Sequence, residues 1–74
     1  MTKPAIETYW EAGEWKNHRQ GDDGPFAVAK TKEAAVEVGR DTARSEKTEH
    51  IIKNQDGRIG ERNSYGNDPR NVPG

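Results

Sequence analysis

From Ile6 to Ala12 the chain alternates, with Ile6, Thr8, Trp10 and Ala12 on one parity and Glu7, Tyr9 and Glu11 on the other. A period of two is that of a half-buried strand. Ala12-Gly13 interrupts it and Trp15-Lys16-Asn17-His18 resumes it. The pattern predicts a β-hairpin turning near Gly13, because glycine reaches the positive φ angles of a tight turn. Gln20-Gly21-Asp22-Asp23-Gly24-Pro25 reads as a loop. The short apolar run Phe26–Ala29 that follows reads as a brief strand or an extended lead into a helix, with Phe26 in the core.

The period then changes. Thr31 is a suitable N-cap and Glu33 sits near the positive end of the helix dipole. Ala34, Ala35, Val38, Gly39, Thr42 and Ala43 share a broad face, while Lys32, Glu33, Glu37, Arg40, Asp41 and Arg44 occupy the rest. This predicts an amphipathic helix ending around Ser45–Thr48. Its small-residue face lets it approach a sheet closely but buries little area, a contribution of only a few kcal/mol at about 25 cal/mol per Å². Ile51-Ile52-Lys53 and Arg58-Ile59-Gly60 flank Asn54-Gln55-Asp56-Gly57, and Asp-Gly between apolar positions signals a second hairpin. Ile52 and Ile59 are expected to meet the helix together, with Lys53 and Arg58 in solvent.

These elements predict an α+β fold: a small two-layer ββαββ domain with one amphipathic helix packed on antiparallel hairpins. The 74 residues form one domain, with an ordered core over about 5–66 and a flexible polar tail over 67–74. Only 28% of the residues are hydrophobic, against 34% charged, so the single Phe, two Trp and two Tyr carry much of the burial. Such a thin core favours completion by a second copy. The absence of cysteine excludes disulfides and thiolate metal sites. No stretch approaches the roughly 20 apolar residues of a membrane span, and the start lacks a signal-peptide run. A soluble, cytoplasmic protein is expected.

Gly13-Glu14-Trp15 after a first strand, Thr31-Lys32-Glu33-Ala34 opening a helix, and Asp56-Gly57-Arg58-Ile59 with Ser64-Tyr65-Gly66-Asn67-Asp68-Pro69 form a pattern. From about Tyr9 to Pro69 the chain resembles an uncharacterised bacterial family, domain of unknown function 2188. The resemblance implies a short soluble protein with the strand, helix and hairpin order read above. It implies no activity, cofactor or catalytic residue.

The residues point to no catalytic machinery. His18, His50, Asp22 and Asp23 lack metal-ligand spacing, and both histidines are read as surface residues. Ser64, His50 and an aspartate supply the letters of a triad without a nucleophile elbow. A chain this short leaves little room for a pocket of a few hundred Å³. No catalytic residue, metal or cofactor is therefore expected. The leading expectation is a non-enzymatic interaction module that associates with itself as a homodimer or with another protein. Trp10, Trp15 and Tyr65 are its candidate interface, because the two tryptophans do not easily share one side of the hairpin. Tyr65 is also read as a packing anchor for the tail. The alternative is a small nucleic-acid-binding regulator whose hairpins present Lys16, Arg19, Lys53, Arg58 and Arg62. Against it stand a formal net charge of −1 and the acidic residues interleaved with those cations.

Overall fold

The alternating segment at the start forms β1 (Ile6–Glu11) and β2 (Glu14–Arg19), antiparallel partners running from Glu11–Glu14 and Trp10–Trp15 down to Ile6–Arg19. The structure, a computed structural model, describes residues 3–66. The expected tail over 67–74 lies outside them. The turn is the two-residue loop Ala12-Gly13, with φ of 54° and 81°. Positive φ at both central positions is the type I′ arrangement, whose twist matches that of the strands it joins.

β3 (Ala27–Ala29) pairs antiparallel with the other side of β2, so the apolar run is a short edge strand. Phe26 is not a core residue. It precedes this edge strand, is 38% exposed, and is covered by the Arg19 guanidinium, 4.9 Å from the ring centre. The helix α1 (Lys32–Glu46) starts at Thr31, whose hydroxyl accepts from the Ala34 N–H at 3.2 Å. It stops at Lys47, which is left-handed at φ 56°. The Lys47 and Thr48 N–H groups donate back to the Arg44 and Ala43 carbonyls. β4 (Glu49–Lys53) and β5 (Ile59–Ser64) form the second hairpin. Its connection is longer than a two-residue loop: the Gly57 N–H donates to the Asn54 carbonyl, Gly57 has φ 90°, and the Asn54 N–H closes onto the Arg58 carbonyl.

The sheet order is β3-β2-β1-β4-β5. β1 and β4 pair in parallel, Ile6 beside His50 and Thr8 beside Ile52, while the other pairs are antiparallel. The two hairpins are thus halves of one mixed sheet, joined at its centre by the crossover through α1. Parallel neighbours require such a crossover.

The helix covers one side of the sheet. Ile6, Thr8, Trp15, Asn17, His50 and Ile52 lie there, beneath Ala35, Gly39 and Ala43. Those three small residues, four apart, form a narrower stripe than the sequence pattern suggests. Ala34 and Val38 flank it and are exposed. Trp10 and Trp15 do share a side, as direct cross-strand partners. Trp15 is buried, with the Lys32 ammonium 5.6 Å from its ring, whereas Trp10 is 38% exposed at the end of the hairpin.

Two expectations fail for identifiable reasons. A bulge in the β4–β5 ladder shifts the register between Ile52 and Lys53, so Ile52 faces Glu61 but Lys53 faces Ile59. Because side chains alternate, that one-residue slip turns Ile59 away from the helix and leaves it 51% exposed. His50 is not a surface residue: it is fully buried, as are Thr8 and, to 1%, Asn17.

The three polar groups satisfy one another under the helix. The Asn17 side-chain amide donates to the Ala35 carbonyl at 2.9 Å, so its oxygen is free to accept from the Thr8 hydroxyl. That hydroxyl has one proton, and its oxygen is 2.7 Å from His50 Nε2. His50 must then donate through Nε2–H, which leaves Nδ1 as a bare buried acceptor without a partner. Gly39 makes this arrangement possible. A Cβ there would stand 2.5 Å from Asn17 Oδ1 and His50 Nε2, and 2.7 Å from Thr8 Oγ1.

Burial lowers the His50 pKa below its ordinary 6.5, the Arg40 charge lowers it further, and Glu61 acts in the opposite sense. A base whose folded pKa is depressed stabilises the fold fully above its unfolded value, and that contribution is lost as the pH falls. Arg19 hydrogen bonding holds the Glu46 carboxyl below 4.5.

Three outcomes are expected. Ala12→Asn, which suits the first position of this turn, raises unfolding free energy by about 0.5–1 kcal/mol in urea titration. Gly39→Ala lowers it by about 1–3 kcal/mol, because the added methyl overfills the helix–sheet contact. Through His50, stability declines as the pH falls below 6.5. His50→Gln removes that decline, and the ring resonances of the unmutated protein report the low pKa directly. A flat profile down to pH 5, with an ordinary His50 titration, would contradict this account.

Candidate functional site

The side of the sheet that the helix leaves uncovered holds two cross-strand rows. One runs Val28–Lys16–Tyr9, followed by Lys53–Ile59 on the far side of the parallel junction. The other runs His18–Glu7–Ile51–Arg62 across four strands. Period-two alternation brings these residues together, because their neighbours in sequence are the ones facing the helix.

Glu7 organises the second row. One carboxylate oxygen accepts from His18 Nε2 at 2.6 Å, and the other accepts from the Gln20 amide at 3.0 Å and lies 3.7 Å from Lys53 Nζ. Burial alone would raise the Glu7 pKa, but the bonds from Gln20 and His18 and the Lys53 charge outweigh it and hold the carboxyl below 4.5. The Tyr9 ring lies 4.7 Å from that of His18, tilted by 55°. Burial, with the nearby Glu11 carboxylate, pushes the Tyr9 phenol above 10. Lys16 reaches back to Glu11 at 3.2 Å. The result is a carboxylate with several donors, ringed by apolar and cationic groups.

Of the five expected cationic contacts, Lys16, Lys53 and Arg62 share this uncovered side. Arg19 is on the helix side, bound through its guanidinium to both oxygens of Glu46. Arg58 is in the second turn, 3.8 Å from Asp56. Of the expected interface residues, Trp10 and Trp15 face the helix. Tyr65 is half-buried beyond β5, its N–H donating to the Thr48 carbonyl at 3.2 Å. Gly66 follows, where a Cβ would collide with the Lys47 carbonyl oxygen. Tyr65 and Gly66 therefore dock along the helix–β4 junction, and Asn67–Pro69 lie outside the described residues. The uncovered-side residues that the sequence reading did not single out are Tyr9, Val28 and Ile59. Strict alternation signalled Tyr9, but nothing in the sequence marked the bulge that turns Ile59 outward.

The remaining candidates do not converge. Ser64 is exposed on the uncovered side while His50 is buried on the other. His18 and His50 are likewise separated by the sheet, and Asp22 and Asp23 are exposed in the loop before β3. Among the described residues no group of three His, Cys, Asp or Glu side chains is placed to hold a metal ion. An open groove of about 670 Å³, larger than the chain length suggests, lies between Lys3, Gln20, Lys47, Thr48 and Ser64. Its Glu46 carboxylate is already occupied by Arg19. Among the described residues no helix is long and apolar enough to cross a membrane.

Comparison with known proteins adds a family and no activity. No curated protein and no solved structure matches the chain. A family model described as an uncharacterised protein conserved in bacteria matches residues 6–65, covering every strand and the helix. The chain therefore belongs to the uncharacterised bacterial domain-of-unknown-function 2188 family.

Proposed function

We propose that this domain is a non-enzymatic, cytoplasmic interaction module that acts by self-association or by binding a protein partner, through the uncovered side of its sheet and the adjoining β5 edge. The observation that carries this reading is the row Val28–Lys16–Tyr9–Lys53–Ile59. Its two ends, Val28 and Ile59, are 52% and 51% exposed in a chain with few large apolar residues. Exposed apolar groups among polar ones match the mixed composition of interfaces that form and dissociate. The helix side already has its cover, so a partner would gain most on the opposite side.

A second reading rests on a specific arrangement. The Tyr9 and His18 rings lie against each other at a tilt near the middle of the uncovered side, with Lys16, Lys53 and Arg62 on the same side. Aromatic rings on an open sheet flanked by cations suit single-stranded nucleic acid. Two of those cations are engaged by Glu11 and Glu7, so protein contact is favoured.

Light scattering over a concentration series tests the choice. The expected mass rises from 8.3 kDa toward a dimer, and Ile59→Glu suppresses the rise without lowering the unfolding midpoint. A constant monomer mass, together with retention of single-stranded DNA or RNA at low salt that Tyr9→Ala abolishes, would transfer the function to the second reading.

A further inference from the structure

Resting on the self-association reading, we infer that a second copy of this chain pairs with the free edge of β5, antiparallel to its own β5, with Arg62 opposite Ser64 of the second copy. β5 is the outer strand of the sheet, six residues long, and every one of them is exposed. The opposite edge, β3, has only three residues. Unpaired N–H and C=O groups along an edge form a template for another strand.

The direction of those groups follows from the ladder. The Tyr65 N–H points inward to the Thr48 carbonyl. Hydrogen-bonded positions alternate in an antiparallel pair, so Asn63 and Glu61 also point toward β4. Arg62 and Ser64 then direct their N–H and C=O groups away from β4, toward the open edge. The bulge lies at the start of the strand, between the Ile52–Glu61 and Lys53–Ile59 pairs, and leaves the following segment regular.

Charge rules out two of the registers. Residues directly opposite each other in a two-fold antiparallel pair lie on the same side of the sheet, so even-numbered positions meet even-numbered ones. A pair centred on Glu61 opposes two carboxylates, and one centred on Arg62 opposes two guanidinium groups. Centred on Asn63, the pair places Arg62 against Ser64 and Ser64 against Arg62, each exchanging two backbone hydrogen bonds. No like charges then face each other. In this arrangement both helices lie on one side and both uncovered faces on the other, giving one continuous sheet. A contact made mainly by one strand from each copy falls below about 1,200 Å², the range of transient association.

Amide hydrogen exchange of the intact protein, followed by NMR at dilute and at millimolar concentration, reads the register directly. Arg62 and Ser64 exchange rapidly when dilute and slow by about tenfold or more when concentrated, as expected of amides that open only in the unpaired fraction. Asn63 remains protected throughout. Arg62→Pro removes an outward N–H while sparing the β4 ladder, and is expected to stay monomeric with little change in unfolding midpoint. If the mass doubles while Arg62 and Ser64 stay fast, edge pairing is wrong and self-association through the open face stands. A monomer at every concentration overturns both.

Discussion

The distance between α1 and the sheet governs this domain, and it is set at Gly39. Only a residue without a side chain lets the helix rest over Thr8, Asn17 and His50, where a Cβ would overlap all three polar groups. The contact is therefore both close and polar. Ala35 and Ala43 continue it on either side, and Ile6, Ile52 and Trp15 supply the larger apolar surface around it. Because buried polar groups are costly when unpaired, the mutual satisfaction of Thr8, Asn17 and His50 holds three strands in one lateral arrangement beneath the helix. The orphaned His50 Nδ1 is the one atom that arrangement leaves out.

Much of this order was legible in the chain. Capping at Thr31, alternation through β1, and the turn at Ala12-Gly13 are local properties, and local chemistry decided them. What was not legible depends on contacts distant in sequence. His50 looks like a surface residue until the parallel β1–β4 junction places it beside Thr8, and no nearby residue announces that junction. Ile59 reads as the partner of Ile52 because period two is unforgiving, and a single bulged position reverses its side. The helix pattern suggested a broad apolar face, whereas the sheet buries only the narrow stripe Ala35, Gly39 and Ala43. On the candidate site, alternation put Glu7, Tyr9 and Glu11 on one parity, but joining Lys16 to them and dividing the cations between two sides required the register.

The two sides of the sheet divide their labour by chemistry. The helix side carries small and apolar groups plus one closed polar cluster, so it has little capacity left for a ligand. The other side carries long side chains whose charges are largely answered by neighbours, with aliphatic groups at its margins. Glu7 is central there: by drawing His18, Gln20 and Lys53 onto one carboxylate it flattens the surface and keeps those groups from projecting separately.

The parallel junction at the centre of the sheet also has a consequence for synthesis. The bond between Thr8 and His50 joins residues 42 apart, whereas both hairpins close over short distances. As the chain emerges from its N-terminus, β1, β2, β3 and the helix are all present before β4 is made. Until then the inner edge of β1 is unpaired and the Thr8 hydroxyl lacks its imidazole. Closing so long a loop before its contacts are rewarded is slow relative to hairpin formation. The middle of the sheet thus cannot become native until β4 is made, and until then the nascent chain carries an open edge at what will be its centre.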